Sequence, residues 1–341
     1  VYRELNDALQ YVRAVIGREE IDCHLTQHGR FIAANSQRHY DEMASEFAVM
    51  ERALGLPFAT VSRADQHREV ASDIYHGGIV VPDLGAVHPG LLHKGMLDAA
   101  IKAGVEIYPD TVVLGVEKAV DGVTLATSRG NLRAGTVIAA TNGYTPRALP
   151  WEARRVIPFN GYIAATEILA SERMARLSPK NRTMLDSNVN INFLRPAPGE
   201  SRILFGGMTG SHTNSLPDFG ARLLRRFQKI MPDFAGIRLA HVWTGQCAGT
   251  FDFMPHLAQR GRVWFAAGYN FAGVPMGTYL GMKLAHRIVG SKQGETVFEE
   301  KAFPTKAFYR GNPWFVPAAM RYFDLNDFIK ARLPGAVKVA S

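Results

Sequence analysis

The chain has 341 residues, of which 47% are hydrophobic and 21% are charged, and its formal net charge is +8. This composition excludes a disordered or low-complexity protein and allows two domains with substantial cores. Because the basic residues are scattered, nucleic-acid binding is not expected. The two cysteines, Cys23 and Cys247, have no paired spacing, which excludes a disulfide framework and a cysteine-based zinc site. No metal site is expected, and a reducing, cytoplasmic location is predicted.

The N-terminal part of the chain is predicted to be mainly helical. Residues 2–16 and 37–54 form the expected helices, on either side of a short strand from Gly29 to Ala34. A further amphipathic helix is predicted from Gly90 to Ala103, because His88-Pro89 is typical of a helix start. His88 is interpreted as a cap or turn residue, and no catalytic dyad stands out among the histidines.

Short strands are predicted after this helix. They lie at Val105 to Ile107, Thr111 to Lys118 and Val123 to Ser128, with Asp121-Gly122 as a hairpin turn. The next strand, Val137 to Ala140, is apolar at every position and is therefore expected to be buried on both faces. Thr141-Asn142-Gly143 follows its carboxyl end, where ligands bind in open α/β sheets. A structural turn rich in turn-forming residues is the alternative.

The middle of the chain, residues 157–249, alternates strand and helix patterns. The predicted strands include Gly161 to Thr166, Ile191 to Arg195 and Arg202 to Gly207, and a helix is predicted from Asp218 to Ile230. We expect these strands to form a mostly antiparallel sheet.

Near the C-terminus an apolar strand, Val263 to Ala267, leads into a glycine turn and a helix from Val274 to Val289. A helix entered through glycines presents free backbone N–H groups and a partial positive charge, which suits an anionic ligand. Gly273, Gly277 and Gly281 recur every four residues on one helix face, so something is expected to approach that face closely. Tight packing of the helix on a sheet is the alternative. The Gly, Asn and Pro residues argue against a membrane span.

Read together, several motifs resemble the FAD-dependent D-amino-acid oxidase superfamily, most closely its gamma-glutamylputrescine oxidase branch. The motifs are Ala266-Ala267-Gly268-Tyr269-Asn270 with Gly273 and Gly277-Thr278, Trp243-Thr244-Gly245, Gly249-Thr250, Asp252, Pro255-His256, the stretch from Val137 to Thr145, the strand from Pro158 to Glu167, and Gly311 to Phe315. The resemblance extends over nearly the whole chain.

The resemblance implies an α/β fold with α+β elements. A glutathione-reductase-like FAD domain is expected at residues 88–150 and 243–300, a substrate domain with a mostly antiparallel sheet at 1–87 and 151–242, and a C-terminal tail at 301–341. The family opens with a Gly-x-Gly-x-x-Gly unit that holds the ADP half of FAD. The sequence contains no such motif. The FAD domain is therefore expected to lack its first βαβ unit, and the chain as given to bind FAD poorly.

The resemblance also implies site residues. Cofactor contacts are expected from Val113, Thr141, Asn142, Gly143, Gly268, Asn270, Gly273, Val274, Pro275, Met276, Gly277 and Thr278. Substrate contacts over the flavin are expected from Asn192, Phe193 and Met208. An ordinary strand position is the alternative for Val113, and a place in the core or sheet is the alternative for the three substrate residues.

Residues that differ from the family pattern narrow the class of substrates that is expected. Amino-acid oxidases of the family place an arginine before the Gly-Thr-x-Asp stretch, where this chain has Gln246, Cys247 and Ala248. Sarcosine oxidases have a lysine in the glycine turn, where this chain has Val274-Pro275-Met276. A substrate with a carboxylate on its reacting carbon would lack both partners. Cys247 matches the stretch where sarcosine oxidases attach flavin, although a buried, inert thiol is the alternative.

The expected function is oxidation of the C–N bond of an amine such as a gamma-glutamylputrescine-like polyamine derivative, by hydride transfer to flavin N5, giving an imine and then an aldehyde. This makes the chain an FAD-dependent amine oxidase or dehydrogenase of polyamine catabolism, with oxygen or an electron carrier as acceptor. An amino-acid dehydrogenase of the same superfamily is one alternative. The other is a truncated, non-catalytic homologue or subunit that does not hold FAD.

Overall fold

Helices and strands alternate along residues 1–299 and 303–330, which the computed structural model describes. The helices are α1 Tyr2–Arg18, α2 Gln37–Leu54, α3 Pro89–Lys102, α4 Pro150–Ala153, α5 Ser171–Leu177, α6 Leu216–Ile230, α7 Gly273–Ile288 and α8 Val316–Lys330. The strands are β1 Arg30–Ala33, β2 Ala59–Val61, β3 Gly78–Val81, β4 Val113–Ala119, β5 Gly122–Thr127, β6 Gly130–Ala134, β7 Val137–Ala139, β8 Ile157–Thr166, β9 Thr183–Asp186, β10 Phe193–Pro196, β11 Ile203–Gly206, β12 Leu239–Gly249, β13 His256–Arg260 and β14 Val263–Ala267. The fold is mixed α/β with several sheets.

The chain divides into two units of clustered contacts, each built from separate stretches of sequence. Unit 1 comprises Val1–Cys23, Pro89–Phe159 and Gln246–Trp314. Unit 2 comprises His24–His88, Asn160–Gly245 and the described residues from Phe315 onward. Of the expected C-terminal tail, residues 301–302 and 331–341 lie outside the described residues, as does residue 300.

Unit 1 contains a three-stranded sheet in the order β13-β14-β7 and a meander in the order β4-β5-β6. β14 pairs parallel with β7 and antiparallel with β13. Helices α1 and α7 share a core in which Ala8 of α1 packs with Leu280 and Leu284 of α7 and with Trp264 of β14. The buried residues of α1 recur at helical spacing, which gives this helix one apolar face.

The observed units differ from the expected domains at the N-terminus. Residues 1–23 were expected in the substrate domain, but they belong to unit 1 because the apolar face of α1 is buried against α7. No periodicity within α1 indicates which partner covers that face. The boundary is therefore a product of tertiary packing.

In unit 1 one strand prediction is wrong, and a second strand is present but is not buried as expected. Val105 to Ile107 form no strand, and both Val105 and Ile107 are exposed. Strand β7 is not buried on both faces, since Ile138 is 47% exposed while Ala139 is buried. Among the described residues β7 is an edge strand that pairs only with β14.

Unit 2 is organised around an eight-stranded sheet in the order β12-β8-β11-β10-β9-β1-β3-β2. The β1–β9 pair is parallel, and β8, β11, β10 and β9 pair antiparallel in succession, which confirms the prediction of a mostly antiparallel sheet. Helix α6 covers one face of this sheet. Its Leu223 and Phe227 share a core with Phe31 of β1 and Leu194 of β10.

No helix among residues 1–299 and 303–330 combines the length and the apolar character that a membrane crossing requires. The apolar stretch that meets the length of a span is divided into strand β14, a glycine turn and helix α7.

Candidate functional site

The predicted glycine turn and the predicted strand end lie next to each other in unit 1. Strands β7 and β14 are parallel, so their carboxyl ends meet at one edge of the sheet. Thr141 to Gly143 follow β7, and Gly268 to Gly273 follow β14. The Oδ1 atom of Asn142 accepts a hydrogen bond of 3.0 Å from the backbone N–H of Gly268. The structure therefore joins two segments that are more than a hundred residues apart in the sequence.

Three residues of these turns have left-handed backbone without being glycine. The φ angles are 41° for Asn142, 43° for Asn270 and 70° for Phe271. Such conformations cost free energy in non-glycine residues and cluster at functional sites. The strain marks this edge of the sheet as the candidate site of unit 1.

A third segment, at the end of β12, closes the same edge. The backbone N–H of Asn270 donates to the carbonyl of Ala248 at 3.3 Å. A Cβ atom at Gly143 would lie 2.6 Å from the carbonyl oxygen of Cys247, and one at Gly249 would lie 2.9 Å from Oδ1 of Asn270. Only glycine allows this close approach, which explains why Gly143 and Gly249 stand at these positions.

The first turn of α7 is electrostatically positive and not neutralised by the helix itself. Its N-cap residue, Ala272, makes no side-chain cap, and the first turn contains no acidic residue. Gly273 and Val274 are exposed. Their N–H groups are therefore available to an electron-rich ligand.

The predicted residues of α7 divide into two groups by burial. Met276 is fully buried in the core of unit 1, so it anchors the helix. Thr278 is half-buried and donates through Oγ1 to the carbonyl of Val274 at 2.8 Å. Pro275 is half-buried and has no N–H group to offer. Gly273 and Val274 thus remain the accessible part of this turn.

The glycine face of α7 is not explained by packing within the protein. A Cβ atom at Gly273 would come no closer than 4.0 Å to a described neighbour, and one at Gly277 no closer than 3.7 Å; in both cases the neighbour is the Tyr269 ring. A Cβ atom at Gly281 would meet nothing within 4 Å. The alternative of tight helix packing therefore fails for the described residues.

A pair formed by the buried imidazole of His256 and the partly exposed carboxylate of Asp252 lies next to the turn. Nε2 of His256 lies 3.0 Å from Oδ2 of Asp252, and the ring is 2% exposed and stacks on Phe303. Oγ1 of Thr250 donates to the same carboxylate at 2.9 Å, and a Cβ atom at Gly268 would lie 2.3 Å from Cγ2 of Thr250. Sequence reasoning found no dyad here, although the four-residue spacing of Asp252 and His256 was the available signal.

Removal of the Asp252 charge is expected to lower stability in a pH-dependent way. Burial opposes its ionisation, but hydrogen bonds from His256, Thr250 and Met254 outweigh burial and lower its pKa. A carboxyl pKa that is lowered in the folded state stabilises that state at pH values above the unfolded-state pKa near ~3.9. This stabilisation is lost as the pH falls through the folded-state pKa. Because the carboxylate is 40% exposed, we expect Asp252→Asn to cost about 1 kcal/mol at pH 7.

Urea unfolding of Asp252→Asn and of the unsubstituted protein at several pH values measures this effect. The difference between the two curves should be full above the unfolded-state pKa near ~3.9 and should shrink as the pH falls below it. A difference that grows toward acid would contradict the assignment.

Val113 and Cys247 are less suited to contact a ligand than the residues of the turns are. Val113 is half-buried at the start of β4, next to a register shift between Val113 and Gly115. Cys247 is a free, half-buried thiol, and burial raises its pKa. A raised thiol pKa is typical of an inert cysteine and agrees with the structural alternative, and covalent attachment of flavin at Cys247 stays a prediction.

The three predicted substrate residues lie in unit 2 and differ in availability. Asn192 is 3% exposed, and its side chain is engaged by Oδ2 of Asp186 and by Nε of Arg226, each at 2.5 Å. Phe193 is half-buried at the start of β10. Met208 is half-buried and has a left-handed backbone with φ of 54°. In this conformation the side chain of Asn192 is therefore occupied by protein partners, whereas Phe193 and Met208 keep part of their surface exposed.

Comparisons with known proteins agree on one family and one fold. A family model described as FAD dependent oxidoreductase matches residues 1–287. The chain is 26% identical over 304 residues to the probable oxidoreductase OrdL of Rhizobium meliloti (strain 1021), covering 88% of this chain and 68% of that protein. It is 26% identical over 323 residues to gamma-glutamylputrescine oxidoreductase of Escherichia coli (strain K12), covering 93% and 75%.

The fold is shared with a crystal structure of glycine oxidase from Geobacillus kaustophilus. The TM-score is 0.74 at 20% sequence identity, and the match covers 88% of this chain and 81% of that chain.

Proposed function

The chain belongs to the family of FAD-dependent oxidoreductases, and on that premise we propose that it oxidises the C–N bond of an amine whose reacting carbon carries no carboxylate. At the level of the family, it is an FAD-dependent enzyme that acts on amines or amino acids. The residues that would hold the cofactor and those that would select the substrate are part of the proposal.

The turns of unit 1 fit the family's cofactor. No described protein neighbour lies close enough to the glycine face of α7 to require glycine there, and the first turn of the helix has free N–H groups. We propose that Gly273 and Gly277 allow close approach of FAD and that the N–H groups of Gly273 and Val274 stabilise negative charge on it. Asn142, Gly143, Gly268 and Asn270 would fix the shape of this cradle. When bound, FAD supplies the electron acceptor for the oxidation.

The observation that carries the substrate proposal is the identity of the residues before Gly249. A carboxylate on the reacting carbon needs a bidentate arginine or an equivalent cation. Gln246, Cys247 and Ala248 provide none, and Gln246 presents its backbone N–H to the hydroxyl of Tyr144 at 3.0 Å. The 26% identical relative named gamma-glutamylputrescine oxidoreductase supports an amine of that kind.

We assign the roles of the two units accordingly. Unit 1 would be the FAD-binding part, with a glutathione-reductase-like arrangement, and unit 2 would contribute substrate contacts through Phe193 and Met208. The acceptor of the electrons would be oxygen or a carrier, and polyamine catabolism in the cytoplasm would be the setting.

Anaerobic reduction of the flavin, in a protein extended by the family's Gly-x-Gly-x-x-Gly unit, tests the substrate proposal. We expect gamma-glutamylputrescine to bleach the flavin at least about tenfold faster than glycine, sarcosine or D-alanine, because an unpaired carboxylate near the reacting carbon costs roughly 1–3 kcal/mol. Stopped-flow absorbance measures the rates. Faster reduction by any of the three amino acids would contradict the proposal, and reoxidation in air separates an oxidase from a dehydrogenase.

A further inference from the structure

Unit 2 contains a cavity of about 300 Å³ at the end of its sheet where β1 and β9 begin and β10 ends. Thr183 of β9 and Arg195 of β10 line it, whereas Arg30 of β1 does not. The segment from His24 to Gly29 forms one wall, Gly85 and Ala86 another, and the turn from Pro196 to Gly199 a third. All of these residues belong to unit 2.

Two arginines flank Thr183 in the same row of the sheet. Arg30 of β1 pairs with Thr183 of β9, and the Leu194–Met184 pair places Arg195 of β10 opposite Thr183 on the other side. Residues in one row point to the same face, and neighbouring strands lie about 4.8 Å apart. The guanidinium groups therefore rise from strands roughly 10 Å apart, with the Thr183 hydroxyl between them. Nε of Arg30 donates to that hydroxyl at 3.2 Å.

Neither guanidinium is neutralised by an acid within the described residues. Arg195 donates to two backbone carbonyls, that of Pro196 at 3.1 Å and that of Val87 at 2.9 Å, and Arg30 bonds only to Thr183. The nearby Glu69 carboxylate is held by both of its oxygens on Arg182. Burial lowers the pKa of both Arg30 and Arg195, because no carboxylate offsets the loss of water. A guanidinium stays charged nonetheless, so two half-buried positive charges remain uncompensated.

The walls of the cavity are built with strained and closely packed backbone. His24 and Asn181 both line it and have left-handed backbone, with φ of 50° and 54°. A Cβ atom at Gly85 would lie 2.1 Å from the carbonyl oxygen of Thr26. Thr26 and Ala86 also exchange two backbone hydrogen bonds, of 2.8 and 2.9 Å. Strain of this kind persists where the surrounding structure fixes it, as at binding sites.

We propose that this cavity binds a small oxyanion, a carboxylate or a phosphate group, on the guanidinium group of Arg195, and that the charge of Arg30, which bonds the Thr183 hydroxyl, adds to the attraction. The planar fork of a guanidinium matches both groups through paired N–H donors, and Nη2 of Arg195 has no acceptor within the described residues. The Thr183 hydroxyl and the imidazoles of His24 and His28 add polar partners. The cavity volume admits a ligand of a few carbon atoms, such as a short dicarboxylate.

Isothermal titration of the holoprotein with glutarate and with inorganic phosphate tests the site, at an ionic strength held constant with sodium chloride. At least one of the two should give a saturable isotherm with a stoichiometry of one. Arg195→Met should weaken binding about tenfold or more, since a charge-assisted pair is lost, and Arg30→Met should weaken it to a smaller extent, since a neighbouring positive charge is lost. Arg225→Met, at an exposed position of α6, is the matched control and should bind as the unsubstituted protein does.

Arg195→Lys keeps the charge but removes the fork, and should weaken binding while circular dichroism shows an unchanged fold. A lack of saturable binding by the unsubstituted protein would overturn the proposal. So would binding that Arg30→Met and Arg195→Met both retain. Should the methionine variants fail to fold, the isotherm of the unsubstituted protein and that of Arg195→Lys decide the question.

Competition separates the two sources of the oxyanion. If the carboxylate belongs to the amine substrate, glutarate should raise the apparent Kd of gamma-glutamylputrescine and leave that of putrescine unchanged. This expected result rests on the proposed function. If the ligand is a free metabolite, glutarate should bind without competing with either amine. Failure of every amine to reduce the flavin would refute the proposed function and leave the glutarate and phosphate isotherms unaffected.

Discussion

In a protein extended by the family's Gly-x-Gly-x-x-Gly unit, Gly273→Val is expected to abolish FAD binding while the protein remains folded. The nearest described atom to a Cβ at Gly273 is Cδ2 of Tyr269 at 4.0 Å, so the protein itself has room for the larger side chain. Valine is also no worse than glycine in a helix. The added isopropyl group would instead occupy the space in front of the first turn of α7, where the free N–H groups lie. Flavin absorbance per mole of purified protein measures the loss, which we expect to exceed about tenfold.

Gly17→Val provides the matched control for this substitution. Gly17 lies in helix α1, and a Cβ atom there meets nothing within 4 Å, as for the open glycine positions of α7. Its flavin content should equal that of the unsubstituted protein, and both variants should unfold at similar temperatures once flavin has been removed. Normal flavin content in Gly273→Val would place the cofactor elsewhere in the molecule.

The strand and helix on either side of the turn in unit 1 could be predicted because the residues that indicate them are neighbours in the chain. An apolar run of five residues bounded by Gly268 predicts β14 at Val263–Ala267, and the structure has the same bounds. The helix expected from Val274 to Val289 is observed as Gly273–Ile288. Asn142 and Gly268 could be placed together because parallel strands end at one edge of a sheet.

Features that depend on contacts across the sequence were not predictable in the same way. Arg30 and Arg195 flank Thr183 only because β1, β9 and β10 are neighbours in the sheet. The apolar pattern of Val137 to Ala140 predicted burial on two faces, but exposure is set by which elements cover a strand, as Ile138 shows. Asn192 was expected to contact substrate on the basis of the family resemblance, and its engagement by Asp186 and Arg226 cannot be read from its neighbours in the chain.

The carboxylate of Asp186 organises the loop that follows β9. Asp186 is 2% exposed and accepts hydrogen bonds from the backbone N–H of Asn192 at 3.0 Å and from that of Asn188 at 3.3 Å. It also accepts from Nδ2 of Asn192 and of Asn188. Within the same loop, Oδ1 of Asn190 accepts from the backbone N–H of Thr209 at 3.0 Å. The carboxylate therefore supports the turn that holds Met208 in its left-handed conformation.

Asp186→Ala is expected to lower the free energy of unfolding by about 3–5 kcal/mol, because several buried donors lose their acceptor at once. Urea unfolding measures the change as a lower midpoint at constant slope. Arg225→Met, at an exposed position of the same unit, should change stability by no more than about 0.5 kcal/mol.

Asp186→Asn separates the charge of this side chain from its shape. Burial raises the pKa of Asp186 despite the hydrogen bonds it accepts. A raised carboxyl pKa means that the folded state holds the proton more tightly than the unfolded state does. The contribution of Asp186 to stability therefore falls as the pH rises from the unfolded-state pKa near ~3.9 through the folded-state pKa. That pH dependence should disappear in Asp186→Asn. If Asp186→Ala instead cost less than about 1 kcal/mol, the loop would be held by other contacts, and the strained backbone of Met208 would need a different support.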